Sequence, residues 1–448
     1  MITHRTYMAN AYDGNDESMD PAAKELIRRR SAVLAPSYRL FYRSPVSVVR
    51  AEGVWLYDAD GRRYLDAYNN VPAVGHSNPH VRRRVDEQMR VLNTHTRYLT
   101  EPLIAYSERL LGLFPPELSK VVYTCTGSEA VDLALRMARY QTGARGIICT
   151  SHAYHGTTAA AAEISPSLGP NNTIGHDVVL VDVPDSYRDD PATAAGMFAR
   201  RVEAGIETLR QRGVGVAALI VDSVLSSDGV QTDPAGWLSP AADLVREAGG
   251  MWIADEVQPG FGRLGTGWWG FARHGLTPDL VVLGKPMGNG MPIAAVVGTE
   301  TAMVRFGRDI RYFNTFGGNP VSIAAANAVL DVIESDDLIT GAGVVGTRLL
   351  AGLEQVAQRH PAIGHVRGCG LFVAVEFVTN PDGREPDAAA ALTVVNELRD
   401  RGILISASGR SENVLKIRPP LPFQAEHADY VVTAIDEVLT AAAKKKSN

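Results

Sequence analysis

Between residue 120 and about residue 325, short apolar runs alternate with stretches of helical period, and this alternation leaves few folds open to the chain. The runs are Val121-Val-Tyr-Thr, Gly146-Ile-Ile-Cys-Thr, Val178-Val-Leu-Val, Ala217-Ala-Leu-Ile-Val, Met251-Trp-Ile-Ala and Leu280-Val-Val-Leu. A strand buried on both faces reads as a continuous apolar run, and a helix between two such runs carries the chain across to a parallel neighbour. The pattern predicts an α/β fold whose mostly parallel sheet has helices on both faces. The flanks read differently. A helix is expected over Pro21–Leu34, ahead of Pro36, and another over Pro79–Leu92. Val46–Leu65 alternates around the turn Asp58-Ala-Asp-Gly61, as a β-hairpin does. After Pro320, a helix over Val321–Ile333 is followed by antiparallel strands at Leu371-Phe-Val-Ala-Val-Glu-Phe and Leu415-Lys-Ile-Arg, then a last helix over Ala425–Ala443. The expected layout is a loose arm (1–20), a large domain (76–325), and a smaller α+β domain built from 21–75 and 326–448.

Composition excludes several functions. Net charge is −6, and the only basic block is Lys444-Lys-Lys446, so nothing points to nucleic acid. No apolar run approaches the ~18 residues of a membrane helix, and the polar, acidic start has no secretory h-region. Cys125, Cys149 and Cys369 are odd in number and far apart, which fits a reducing cytoplasm and not a disulfide framework.

The chemistry lies where the strands end. In an open α/β sheet, ligands bind beyond the carboxyl ends of the strands. Met251-Trp-Ile-Ala is followed by Asp255, and Leu280-Val-Val-Leu-Gly by Lys285 and Pro286. A lysine that forms a Schiff base and an acid that holds a pyridinium nitrogen are what pyridoxal phosphate chemistry requires. Each residue also has a plainer reading, Asp255 as a helix cap and Lys285 as an exposed charge. Lys285 is not a Walker lysine, because proline follows it and no G-x-x-x-x-G-K-[ST] exists. Thr126-Gly127-Ser128-Glu129 opens a helical stretch, Val131–Tyr140, after a strand. It reads as a helix cap or as a phosphate site made by free N–H groups and the helix dipole. Tyr154, in Ser151-His-Ala-Tyr-His-Gly156, is either loop packing or an aromatic stacked on a cofactor ring. His152 and His155 are spaced H-x-x-H without a third ligand, so no metal is expected.

In their order and spacing these motifs resemble a known family. Ser128-Glu-Ala, Tyr154-His-Gly, Asp255-Glu-Val-Gln-Pro-Gly-Phe-Gly-Arg263, Gly284-Lys285 and Thr315-Phe-Gly-Gly-Asn-Pro320 are similar to those of the class III (ω-type) aminotransferases, which are fold-type I pyridoxal phosphate enzymes. The similarity runs from about Tyr42 to the C-terminal helix. It implies that Lys285 forms the Schiff base and shuttles protons, and that Asp255 keeps the pyridine nitrogen protonated. It also implies that Gln258 bonds the cofactor's phenolic oxygen, that Tyr154 and Val257 sandwich the ring, and that Gly127 and Ser128 hold the phosphate. Thr315 would reach the phosphate bound to a neighbouring subunit. A homodimer, or a tetramer of such pairs, would then be the working unit.

Two positions depart from the amino-acid transaminases of this class. Where those enzymes commonly carry a carboxylate-binding arginine this chain has Lys416, with Arg418 added; where ornithine-type members have a glutamate it has Ser227. Lysine is a point charge and a poor two-pronged partner for a carboxylate. Gly284-Lys-Pro-Met-Gly-Asn-Gly290, Tyr312–Pro320, Asn69-Asn-Val71 and Leu415-Lys-Ile-Arg-Pro-Pro resemble instead the ethanolamine-phosphate and 5-phosphohydroxylysine phospholyases. Those enzymes eliminate phosphate from an amino-alkyl phosphate, giving an aldehyde, ammonia and phosphate. The resemblance implies O-phosphoethanolamine or a close analogue as substrate. The candidate cations for its phosphate are Lys416 and Arg418, with Arg43 and Arg97 behind them; each arginine also reads as a surface salt bridge. The rivals are an ω-aminotransferase that tolerates Lys416 and a decarboxylating member of the class. A cofactor-binding regulator would need a basic DNA-binding domain, for which the acidic arm leaves no room.

Overall fold

The computed structural model describes Met8, residues 10–14 and residues 19–447, the last three as backbone only. All six apolar runs form strands: Lys120–Thr124, Gly146–Thr150, Val178–Val181, Val216–Asp222, Met251–Asp255 and Leu280–Leu283. A seventh, Ala294–Gly298, was not expected. It lies between Lys120–Thr124 and Leu280–Leu283 and runs antiparallel to both. The connecting segment 284–293 explains the direction, because a parallel crossover needs about a dozen residues or more. The sheet continues through the strands starting at residues 251, 216, 146 and 178, all parallel.

Alternation along each strand sorts its side chains into two cores. Ile147, Ile220, Ile253 and Val282 pack on one face with the helix Gly127–Thr142. Ile148, Leu219, Trp252 and Val281 pack on the other with Ala194–Gln211 and Ser239–Glu247. The helix Gly127–Thr142 starts at a capping box, in which the Thr126 hydroxyl accepts from Glu129 N and the Glu129 carboxylate accepts from Thr126 N. It ends at Gly143 (φ 70°).

Two further sheets are built from the two ends of the chain. Where one hairpin was expected there is a three-stranded meander, Val48–Glu52, Trp55–Asp58 and Arg63–Asp66. Ile403–Leu404 adds to it in parallel. A second sheet pairs Ile363–Cys369, Phe372–Phe377, Val414–Ile417 and Ser406–Ser408, all antiparallel. Arg367 ties this sheet to the turn at Gly229 and Val230. Buried, it donates to Gly229 O (2.6 Å), Val230 O (2.8 Å) and the Glu376 carboxylate (2.7 Å). Most of the expected arm lies outside the described residues, but part of it is fixed: Tyr42 N donates to Asn10 O and Tyr12 N to Leu40 O. Among the described residues no helix is long and apolar enough to cross a membrane.

Candidate active site

The carboxyl ends of four neighbouring parallel strands meet at one edge of the sheet. Asp222 and Asp255 sit there in register, side by side. Lys285 follows Leu280–Leu283 after Gly284, where a side chain would be tight: a Cβ would stand 3.2 Å from Val257 Cγ1 and 3.4 Å from Gly127 Cα. A Cβ on Gly127 would come as close to the other Val257 methyl, at 3.3 Å. These contacts keep Val257 flat against the helix start. The space left is a cavity of ≈ 180 Å³ lined by Lys285, Asp255, Val257, Gln258 and Tyr154, with Gly127 and Ser128 at its other end. Seven of the residues singled out in the sequence are thus brought together.

Each wall has a chemical character. The first turn of the helix Gly127–Thr142 supplies free N–H groups and positive dipole. Ser128 Oγ accepts from Thr157 N (3.1 Å), and Gly156 can approach only because it is glycine at φ 138°; a Cβ there would lie 2.5 Å from Ser128 Oγ. Asp255 is buried, accepts from Val257 N through Oδ1 (3.0 Å) and pairs through Oδ2 with His155 Nδ1 (2.7 Å). His155 was considered in the sequence only as a metal ligand; here it holds the carboxylate, and its buried Nε2 has no partner among the described residues. Lys285 Nζ lies 5.8 Å from the centre of the Tyr154 ring. Burial, then Arg418, pull the Lys285 ammonium down to about 8, against the opposing pull of Asp255 and Asp222. An anion-binding helix start, a flat slot between Val257 and Tyr154, a buried carboxylate and an amine of lowered basicity fit a phosphorylated pyridine aldehyde.

Arg418 belongs to this frame. Buried over the Tyr68 ring (4.6 Å), it donates through Nη1 to Asn70 Oδ1 (2.6 Å) and Gln258 Oε1 (2.8 Å). With its oxygen so engaged, Gln258 has its amide N–H₂ left to donate. A second cavity of ≈ 610 Å³ meets the first at Tyr154 and is lined by Lys416, Tyr68, His152, Ser227, Arg410 and the rest of the 406–412 loop. Behind it stand Asp222 and Asp228. Burial raises both, Asp228 to about 6 even though it accepts from Thr150 Oγ1 and His152 N.

Three expected residues lie elsewhere. Arg43 is exposed, 3.6 Å from the Asp400 carboxylate, and lines neither cavity. Arg97 stacks on the Phe313 ring (3.8 Å) beside a separate apolar cleft. Neither of these two candidate phosphate cations lines the cavities beside Lys285. Thr315 is exposed, on another surface with Phe316 and Cys125. Conversely, Asn70, His155, Asp222 and Asp228 were not anticipated. The one signal for Asp222 was that, like Asp255, it ends an apolar strand.

Comparison with known proteins agrees with this geometry. The family model "Aminotransferase class-III" matches residues 40–439. A solved phospholyase from Arthrobacter, in complex with phosphoethanolamine, superposes with a TM-score of 0.90 at 42% identity, covering 93% of this chain and 99% of that one. An alanine–glyoxylate aminotransferase 2-like protein of Drosophila melanogaster is 40% identical over 435 residues, 94% of this chain and 88% of its own length. An ethanolamine-phosphate phospho-lyase homolog of Caenorhabditis elegans is 35% identical over 437 residues, 93% of each. From its strand-end lysine and carboxylate to its match over nearly the whole chain, this protein belongs to the class III aminotransferase family of fold-type I enzymes, and its cofactor is pyridoxal phosphate.

Proposed function

We propose that the protein is a phospholyase that eliminates phosphate from O-phosphoethanolamine or a close amino-alkyl phosphate, releasing an aldehyde, ammonia and phosphate. The observation that carries this reading is the position of Lys416. It faces a cavity large enough for a charged substituent, next to the lysine and carboxylate pair, at a position where a carboxylate-binding arginine would suit an amino acid. Pyridoxal phosphate, when bound, supplies an electron sink for the pair left on the amine-bearing carbon. Lys285 would anchor the cofactor and remove that carbon's proton. Asp255, held by His155 and Val257 N, would keep the pyridine nitrogen protonated. Gln258 would donate to the phenolic oxygen, Val257 and Tyr154 would hold the ring, and Gly127 with Ser128 would take the phosphate end. Arg418 orients Gln258 and adds positive potential where the leaving group's charge grows.

Thr315 serves the partner's cofactor in a homodimer, the unit from which a tetramer would be built. Phe316 beside it is 70% exposed, and Tyr98 and Leu99 are 62% and 97% exposed; such bare apolar side chains suit contact with a second copy. Unpaired thiols at Cys125, Cys149 and Cys369 fit the cytoplasm, where we place the protein.

The test is cofactor-loaded protein with O-phosphoethanolamine and no keto acid. Many turnovers of phosphate and acetaldehyde are expected, with the cofactor spectrum unchanged at the end. A second reading, transfer of the amino group to a keto acid, is favoured by the name of the Drosophila relative. One conversion to the pyridoxamine form without phosphate would establish it and overturn the lyase.

Reconstitution gives an independent check on Lys285. Only a neutral amine attacks the cofactor aldehyde. With the ammonium lowered to about 8, the neutral fraction grows as pH rises through that value. The rate of cofactor capture by the apoprotein is expected to climb through about pH 8 and level off above pH 9. A rate still rising steeply at pH 10 would mean an ordinary, solvated lysine.

A further inference from the structure

Elimination of phosphate has a proton problem that Lys285 does not solve. A phosphate monoester carries nearly two negative charges at neutral pH. If its C–O bond breaks unaided, the departing group is trivalent phosphate, a strong base. A donor must therefore stand in the outer cavity, because Lys285 lines the inner one. The candidates there can be sorted by chemistry. Arg410 does not release a proton. Burial, Arg410 and Lys416 all lower the His152 imidazolium and keep that ring neutral. Burial raises the Tyr154 phenol and makes it a poor acid. The ring of Tyr68 lies under Arg418.

Lys416 differs from all of these. It lies on Val414–Ile417, an inner strand of its sheet, opposite Ala374 on one side and Ser406 on the other. Its stem passes Phe372, with Nζ 5.9 Å from the ring centre. Among the described residues Nζ makes no hydrogen bond or ion pair, although the side chain is nearly buried. Arg418 and Lys285 repel its charge; Asp222 and Asp228 attract it.

Resting on the phospholyase reading, we propose that Lys416 is the general acid that protonates the departing phosphate. Lys285 takes the proton from the amine-bearing carbon, and the electron pair left there becomes the new carbon–carbon π bond. The C–O bond breaks with its pair passing to the phosphate oxygen. Lys416 gives the phosphate one proton, hydrogen phosphate leaves, and the neutral amine recovers a proton from water in the outer cavity. Burial and Arg418 hold the ammonium well below the usual lysine range, which makes it a stronger acid than a solvated lysine.

The test is Lys416→Arg, which keeps the charge and removes the transferable proton. On O-phosphoethanolamine, kcat is expected to fall about 10²–10⁴-fold, with KM within a few-fold of wild type. On ethanolamine O-sulfate, whose leaving group needs no proton, the loss should be under about tenfold. Equal losses on both esters would reduce Lys416 to a fixed charge and overturn the proposal. A readout without turnover is calorimetry of inorganic phosphate binding to the holoenzyme at pH 8.5, in buffers of different ionisation enthalpy. Wild type should take up more protons per site than Lys416→Arg. Equal uptake, or no phosphate binding, would also overturn it. Absence of phosphate release by wild-type protein would instead sink the phospholyase reading itself.

Discussion

Lys285→Ala is expected to lower kcat by about 10⁴-fold or more while leaving the protein folded, since the residue both anchors the cofactor and moves the proton. The second half of that expectation follows from its surroundings. Folding lowers the Lys285 ammonium from 10.5 to about 8, so below pH 8 the folded apoprotein carries a charge it disfavours. The penalty is on the order of 3 kcal/mol at ~1.4 kcal/mol per unit. It fades as pH rises from 8 toward 10.5, where the unfolded chain binds more protons than the folded one. Alanine removes this penalty but also three methylenes, worth about 0.8 kcal/mol each when buried. The two effects nearly cancel. Apoprotein melting points should therefore agree within a few degrees at pH 7, with the variant relatively less stable at pH 10. More than a tenth of wild-type turnover surviving in the variant would remove Lys285 from the centre of the site.

Much of this site is legible in the sequence because each strand end writes its own signature. An apolar run closed by Asp255, another closed by glycine and Lys285, and a glycine–serine helix start are local patterns. The sheet then brings them together without further information. What is not legible is contact between segments far apart in the chain. Asn70 meets Arg418, and His152 N meets Asp228, only once the sheet order and the smaller domain are fixed. His155 shows the same limit at short range: the motif places it beside Tyr154, but nothing local says that its ring turns back to Asp255. Cation identity is misleading for a related reason. Arg43 and Arg97 rank behind Arg418 as phosphate candidates in the sequence, but what sets them apart in the structure is direction and burial, and neither is written in the residue type. The strand Ala294–Gly298 was missed although its apolar run is as plain as the other six, because a reading tuned to parallel crossovers has no place for a strand that turns straight back.

Arg367→Met tests how far the outer cavity depends on the join between the domains, and it is expected to cost about 3–5 kcal/mol of stability. The guanidinium is buried and satisfies Gly229 O, Val230 O and Glu376 at once. Methionine fills most of the volume and meets none of these acceptors. The two carbonyls lose their donor in a buried place. Glu376 keeps Arg188 (2.7 Å) and a contact from Asn413, so no lone carboxylate is stranded and the lower half of the range applies. Glu376→Gln should cost more, because it weakens the hold on Arg367 and Arg188 together. The consequence for function follows from the chain's path. Gly229 and Val230 end the turn that carries Ser227 into the outer cavity, whereas Lys285, Asp255 and the helix start at Gly127 stand on elements that Arg367 does not touch. A lower denaturation midpoint should therefore come with a raised KM for the amino-alkyl phosphate and an unaltered cofactor spectrum. If substrate and cofactor binding weakened together, the two cavities would be one mechanical unit; if stability stayed within about 0.5 kcal/mol of wild type, the buried guanidinium would not be what joins the domains.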